Sequence, residues 1–172
     1  MKKISFQNDI LPLKNELFRL ALHITQNRAD AEDVVQETML KVWNRRDDWQ
    51  QIESMEAYCL TVCRNLALDK MRHTASTPWT DAPPQEDIQD TSHHANPEEM
   101  AVQRDRVQLV RLLISQLPEK QRSCMQLRDV EGKSYRDIAT ILGITEQQVK
   151  VNIFRARQTV KERFGEIEKM SE

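Results

Sequence analysis

The sequence predicts an all-α protein of two small helical domains joined by a flexible acidic linker, the second domain ending in a helix-turn-helix. Apolar residues recur at three- and four-residue steps along most of the chain, the period of an amphipathic helix. Glycine is scarce, 3 in 172 residues, and no stretch alternates as a half-buried strand does. Between Ala75 and Pro97 the period fails and four prolines appear, the composition of a segment that builds no core. These breaks set the domains at residues 1–74 and 101–172, with the linker at 75–100.

The first helix opens near Asp9 and carries Ile10, Leu13, Leu17, Leu20 and Ile24 inward. Asn27 and Arg28 interrupt it. Asp30 or a neighbour caps a second helix to about Arg46, with Val35, Met39 and Val42 inward. Asp33, Gln36, Glu37 and Lys41 lie on its outer side, which by residue type alone is a solvated face. Residues 44–53, NRRDDWQQIE, form a polar loop around Trp49. A tryptophan beside a basic helix suits stacking on unpaired bases, and it equally suits closing a small core. Ser54 caps a third helix to about Arg72, in which Tyr58, Cys59, Val62, Cys63, Leu66 and Ala67 form the buried face. Arg64, Asn65, Asp69 and Arg72 occupy the opposite side.

After the linker, Val107, Val110, Ile114 and Leu117 mark a fourth helix, and Pro118 suits the first turn of a fifth. That fifth helix carries Cys124, Leu127 and Val130 and ends near Gly132. Ser134 with Asp137, then Thr145 with Gln148, are two capping signals of the kind in which a short oxygen side chain satisfies free N–H groups. They bracket a helix from Tyr135 to Leu142, a stop at Gly143 and a turn of about three residues. The last helix places Val149, Ile153, Ala156 and Val160 on one face. Lys150, Asn152, Arg155, Arg157, Lys161 and Arg163 crowd the others. A second helix so arranged can enter a DNA major groove.

The net charge of −2 hides a split: residues 1–75 sum to zero, 76–100 to −6 and 101–172 to +4. Local charge is what a phosphate backbone feels. No apolar run is long enough for a membrane span and no signal peptide is legible, so a cytoplasmic protein with no membrane contact of its own is expected. Three cysteines in a reducing compartment need no disulfide. Cys59 and Cys63, four apart on one helix, have Cβ atoms about 5–6 Å apart, too far for a bond needing about 3.5–4.5 Å. The tandem His93 and His94 lack partner ligands, and no Ser/His/Asp set or phosphate loop appears. Neither metal, cofactor nor enzymatic activity is expected.

The runs ADAEDVVQETMLKVW (29–43), AYCLTVCRNLALDKMR (57–72) and LPEKQRSCMQLRDVEGKSYRDIATILGITEQQVKVNIFRARQTV (117–160) closely resemble the extracytoplasmic-function (ECF) sigma factors of bacterial RNA polymerase. The motifs occur in the family's order across nearly the whole chain. The resemblance implies a non-enzymatic factor that binds core polymerase and directs initiation by reading the minus-35 element and melting the minus-10 element. Asp33, Gln36, Glu37 and Leu40 match the surface for the β′ clamp helices, and the β flap is a second expected contact. Trp49, Arg64, Asn65 and Arg72 match the part that captures the minus-10 strand. Gln147, Gln148, Lys150, Val151, Phe154 and Arg155 match positions facing the minus-35 element. Where the family usually has a small residue this chain has Gln147, and where it has a small polar one, Val151. Promoter DNA and an anti-sigma factor complete the implied partners. The alternative is a free-standing helix-turn-helix regulator, which would need neither the Asp33 to Leu40 strip nor the Arg64 and Asn65 pair.

Overall fold

The computed structural model describes residues 3–75 and 97–170. Among them the regular structure is all helical, with no strand. Helices α1 (Lys14–Thr25), α2 (Arg28–Asn44) and α3 (Met55–Ala75) pack as a three-helix unit. The others are α4 (Pro97–Ser115), α5 (Glu119–Met125), α6 (Tyr135–Leu142) and α7 (Glu146–Met170). The expected linker and the paired histidines fall largely on residues 76–96, outside the described residues; helix α4 already begins at Pro97.

Chain entry differs from the simple first helix expected. Pro12, which cannot donate a helical N–H, sits in a short 3₁₀ turn (Leu11–Leu13), preceded by a π turn (Phe6–Ile10), so α1 proper starts at Lys14. Leu17, Leu20, Ala21 and Ile24 are nonetheless fully buried, as the stripe requires. Helix α1 stops at Gln26, whose φ of 54° is left-handed and whose N–H closes on the Leu22 carbonyl. The cap of α2 is Asn27, three residues before Asp30, and its side chain accepts the Asp30 N–H at 3.0 Å. Asn27 thus terminates one helix and starts the next, which makes the connection short.

The fourth and fifth helices turn two valines outward. Val107 is 47% exposed and Leu113 is buried in its stead, while Leu117 is buried as the stripe expects. Helix α5 widens into a π turn (Gln126–Val130), which changes the angular step, so Leu127 stays buried while Val130 is 62% exposed.

The two units share one continuous core. Cys63, Leu66 and Ala67 of α3, Cys124 of α5 with Leu127 just after it, and Ile138, Ala139 and Leu142 of α6 belong to a single buried cluster. Polar contacts ring this seam. The Arg19 guanidinium donates twice to Glu131, at 2.5 and 2.8 Å, and the Gln26 amide donates to the Ser115 carbonyl at 2.9 Å. Lys133 pairs with Glu16 at 2.7 Å and also with Glu56.

Candidate nucleic-acid and polymerase interface

The helix-turn-helix forms as the sequence reads. Ser134 Oγ accepts the Asp137 N–H at 3.1 Å, α6 runs from Tyr135 to Leu142, and Gly143 ends it at φ 69° with its N–H on the Ala139 carbonyl. Thr145 and Gln148 close a reciprocal capping box: the Gln148 N–H reaches Thr145 Oγ1 at 3.1 Å, and the Thr145 N–H reaches Gln148 Oε1 at 3.0 Å. Val149, Ile153 and Ala156 are buried, which fixes the rotation of α7 and turns its other faces to solvent.

The exposed faces divide by function. Gln147, Val151 and Arg155, four residues apart, share one row, and Phe154, 67% exposed, stands beside it. Phe154 thus lies outside the buried face of α7. Gln148 is committed by its carbonyl oxygen to the cap, leaving its NH₂ to donate, so it is half structural. Lys150 lies over the Tyr135 ring at 5.4 Å, with Arg128 also over that ring at 4.3 Å. Arg157, one of the charges crowding this helix, turns back to a bidentate pair with Asp129 and is neutralised. Between α7 and α5 lies a cleft of about 420 Å³, with Arg155 and Asn152 on one wall and Lys120 on the other.

In the first unit the strip of α2 is exposed. Gln36 and Glu37 face solvent, Leu40 is 63% exposed, and Asp33 is touched only loosely by Lys70, at 3.4 Å. Leu40 is not isolated. It borders an apolar groove of about 450 Å³ that includes Leu11, Met39 and Trp43. Trp43 is 44% exposed, is edged by Phe6 with ring centroids 5.6 Å apart, and carries Arg46 over its ring at 4.8 Å. Leu11 and Trp43 were not singled out by sequence. The signal for Trp43 was its place one step past the inward Val42.

Two residues expected to face the minus-10 strand sit elsewhere. Trp49 is buried, its indole N–H donating to the Val42 carbonyl at 2.9 Å, so it closes the core around the 3₁₀ turn Arg46–Gln51. Arg64 is 6% exposed and donates to Glu119 at 2.9 Å across the seam between the units. Asn65 and Arg72 are exposed, Arg72 meeting only Asp69 at 3.6 Å.

No cluster of metal-ligating side chains occurs among the described residues. The three cysteines are buried, and burial pushes the thiols of Cys59 and Cys63 up to about 12 and that of Cys124 to about 11. No described helix is long and apolar enough to cross a membrane.

Comparison with known proteins matches residues 10–77 to sigma-70 region 2 and residues 108–160 to sigma-70 region 4. The ECF sigma factor SigL of Mycobacterium tuberculosis is 32% identical over 146 residues, covering 84% of this chain and 80% of SigL. The probable sigma factor RfaY of Xanthomonas campestris is 29% identical over 86% of this chain, which spans only 37% of RfaY. Among solved structures, the sigma factor RpoE of Bartonella quintana, in complex with the anti-sigma factor NepR, superposes with a TM-score of 0.73 over 91% of this chain and 94% of its own, at 23% identity. With both regions matched in order on one all-α frame, the chain belongs to the ECF RNA polymerase sigma factors, which direct promoter-specific initiation and are not enzymes.

Proposed function

We propose that this chain docks on core RNA polymerase through the α2 strip, reads the minus-35 element with α7, and captures the minus-10 strand with the exposed end of α3. The domain limits that go with this are 1–74 and 101–172, with 75–100 as the tether. The observation carrying the reading is that one chain presents two unrelated exposed surfaces: the row Gln147, Val151, Arg155 with Phe154, and the strip Asp33, Gln36, Glu37, Leu40. A free-standing regulator would use the first and leave the second without a role.

The chemistry of each surface fits its partner. Arg155 or Lys150 can donate to guanine, Gln147 to adenine, and Val151 or Phe154 can touch a thymine methyl. An acidic and amide strip with an apolar anchor at Leu40 suits basic clamp helices, hydrogen-bonding them while keeping two proteins separable; the β flap is a further contact for the second domain. Melting needs no catalytic group. Preferring the extruded strand over the paired one shifts the equilibrium by the difference in affinity, which offsets a few kcal/mol of unstacking. Asn65 and Arg72 are open to that strand, whereas Arg64 reaches it only after leaving Glu119. An anti-sigma factor of the kind seen with RpoE is the proposed regulator, and the cytoplasm the proposed compartment.

Run-off transcription with purified core polymerase on a promoter library tests the reading. Transcripts starting downstream of a shared motif pair are expected, and Arg155→Ala should lower them while polymerase capture is unchanged. Equal loss of both would make Arg155 structural, and no transcripts at all would reject the reading.

A further inference from the structure

We propose that Lys120, on α5 outside the helix-turn-helix, is a phosphate anchor that sets the depth and register of the recognition helix on promoter DNA. The inference rests on α7 reading duplex DNA and adds a residue on the opposite wall of its cleft.

Three observations point to it. First, the cleft of about 420 Å³ between α5 and α7 is lined by two cations, Lys120 and Arg155, three amides, the Thr145 hydroxyl and two aliphatic side chains, with no carboxylate. Second, five other cations of the second unit are already engaged. Arg122 donates to the Ser115 carbonyl, Arg128 to the Lys133 carbonyl, and Lys133, Arg136 and Arg157 meet Glu16, Glu53 and Asp129. Third, the acid next to Lys120 in sequence is occupied: the Glu119 carboxylate accepts from Ser123 Oγ at 2.6 Å and from Arg64 at 2.9 Å. Folding therefore leaves Lys120 exposed with no carboxylate on it, while Lys133, Arg136 and Arg157 are paired with acids.

Position decides between base and phosphate. Only α7 carries side chains that can enter a groove, through Gln147, Val151 and Arg155. A lysine on a separate helix across the cleft meets what flanks the groove, the sugar-phosphate strand. A compact ammonium on a flexible stem suits a phosphate as a point charge and carries no base-specific fork.

The test uses the full chain assembled with core polymerase, on a duplex fragment bearing the minus-35 motif that this holoenzyme selects from a random library. Binding is measured from 50 to 200 mM salt for wild type, Lys120→Ala, Lys120→Arg and the off-cleft control Lys169→Ala. For Lys120→Ala the slope of log K against log salt should fall by about 0.9, so the loss of affinity over that range is about 3.5-fold smaller than for wild type. Its base preference should not change, Lys120→Arg should keep the wild-type slope, and Lys169→Ala should match wild type. An unchanged slope in Lys120→Ala, or a changed base preference, would overturn the anchor and leave the reading of α7 intact. Failure of the wild-type holoenzyme to select any minus-35 motif would overturn both.

Discussion

Arg64 and Glu119 meet at 2.9 Å across the seam between the two helical units, with the arginine side chain 7% and the glutamate side chain 20% exposed. The same guanidinium leaves its Nε buried without a partner. An arginine so placed cannot also hold a promoter phosphate, so docking of the second unit and strand capture at this residue exclude one another.

Glu119→Ala should therefore loosen the seam. Removing one partner of a fully buried pair costs about 3–5 kcal/mol; with Glu119 partly hydrated, about 2 kcal/mol is expected here. Small-angle scattering of the free protein should show a larger radius for Glu119→Ala than for wild type, and single-stranded minus-10 DNA should bind it more tightly. An unchanged radius together with unchanged strand affinity would show that the pair does not hold the units together.

Leu40 and Trp43 border one apolar groove and are 63% and 44% exposed, Trp43 touching the core at the ring edges of Phe6 and Trp49. The double change Leu40→Ala with Trp43→Ala should weaken core polymerase capture by roughly tenfold or more, the effect of losing about 1.5–3 kcal/mol of burial at an interface. Leu40→Ala alone should shift folding stability by about 0.5 kcal/mol or less, and Trp43→Ala by about 1–3 kcal/mol through its ring contacts with Phe6 and Trp49. Capture assays alongside thermal melts distinguish lost docking from lost folding.

What could be read from the sequence was local. Capping at Ser134, at Thr145 with Gln148, and the stop at Gly143 depend on side chains within three residues of the backbone they satisfy, and all three form. The α7 rotation followed from Val149, Ile153 and Ala156, because their spacing alone defines a face. Arg64 could not be placed that way. It lies on a side of α3 that is polar in pattern and becomes interior only because α5 brings Glu119 from 55 residues away. Trp49 is open in the sequence between stacking on a base and closing the core; the 3₁₀ turn decides it, folding Trp49 back onto the Val42 carbonyl and leaving Trp43 outside. Val130 missed its buried face because a π turn does not step by 3.6 residues.

Ile153 is 2% exposed and seats the recognition helix on its own domain. Ile153→Ala should destabilise the second unit by about 2–5 kcal/mol, the transfer loss plus a residual cavity. Denaturant unfolding should show the drop, and duplex minus-35 binding should fall in parallel, since α7 loses its fixed rotation. Full stability with weakened binding would mean that Ile153 reaches DNA itself.

His23, half-buried on α1 at the seam, is held down to about 4 by burial and then by the nearby Arg122, with Arg111 acting in the same direction and Glu131 opposing them. The imidazole is thus neutral when the units are docked, and an undocked or unfolded chain, with an ordinary value near 6.5, takes up the proton first. Docked stability is therefore complete above about pH 6.5 and is lost as pH falls toward 4, by up to about 3 kcal/mol. The interval from about pH 6.5 to 5 is where the histidine's loss is read. Denaturant midpoints there should fall for wild type and stay level for His23→Gln; matching slopes in the two proteins would remove His23 from the account.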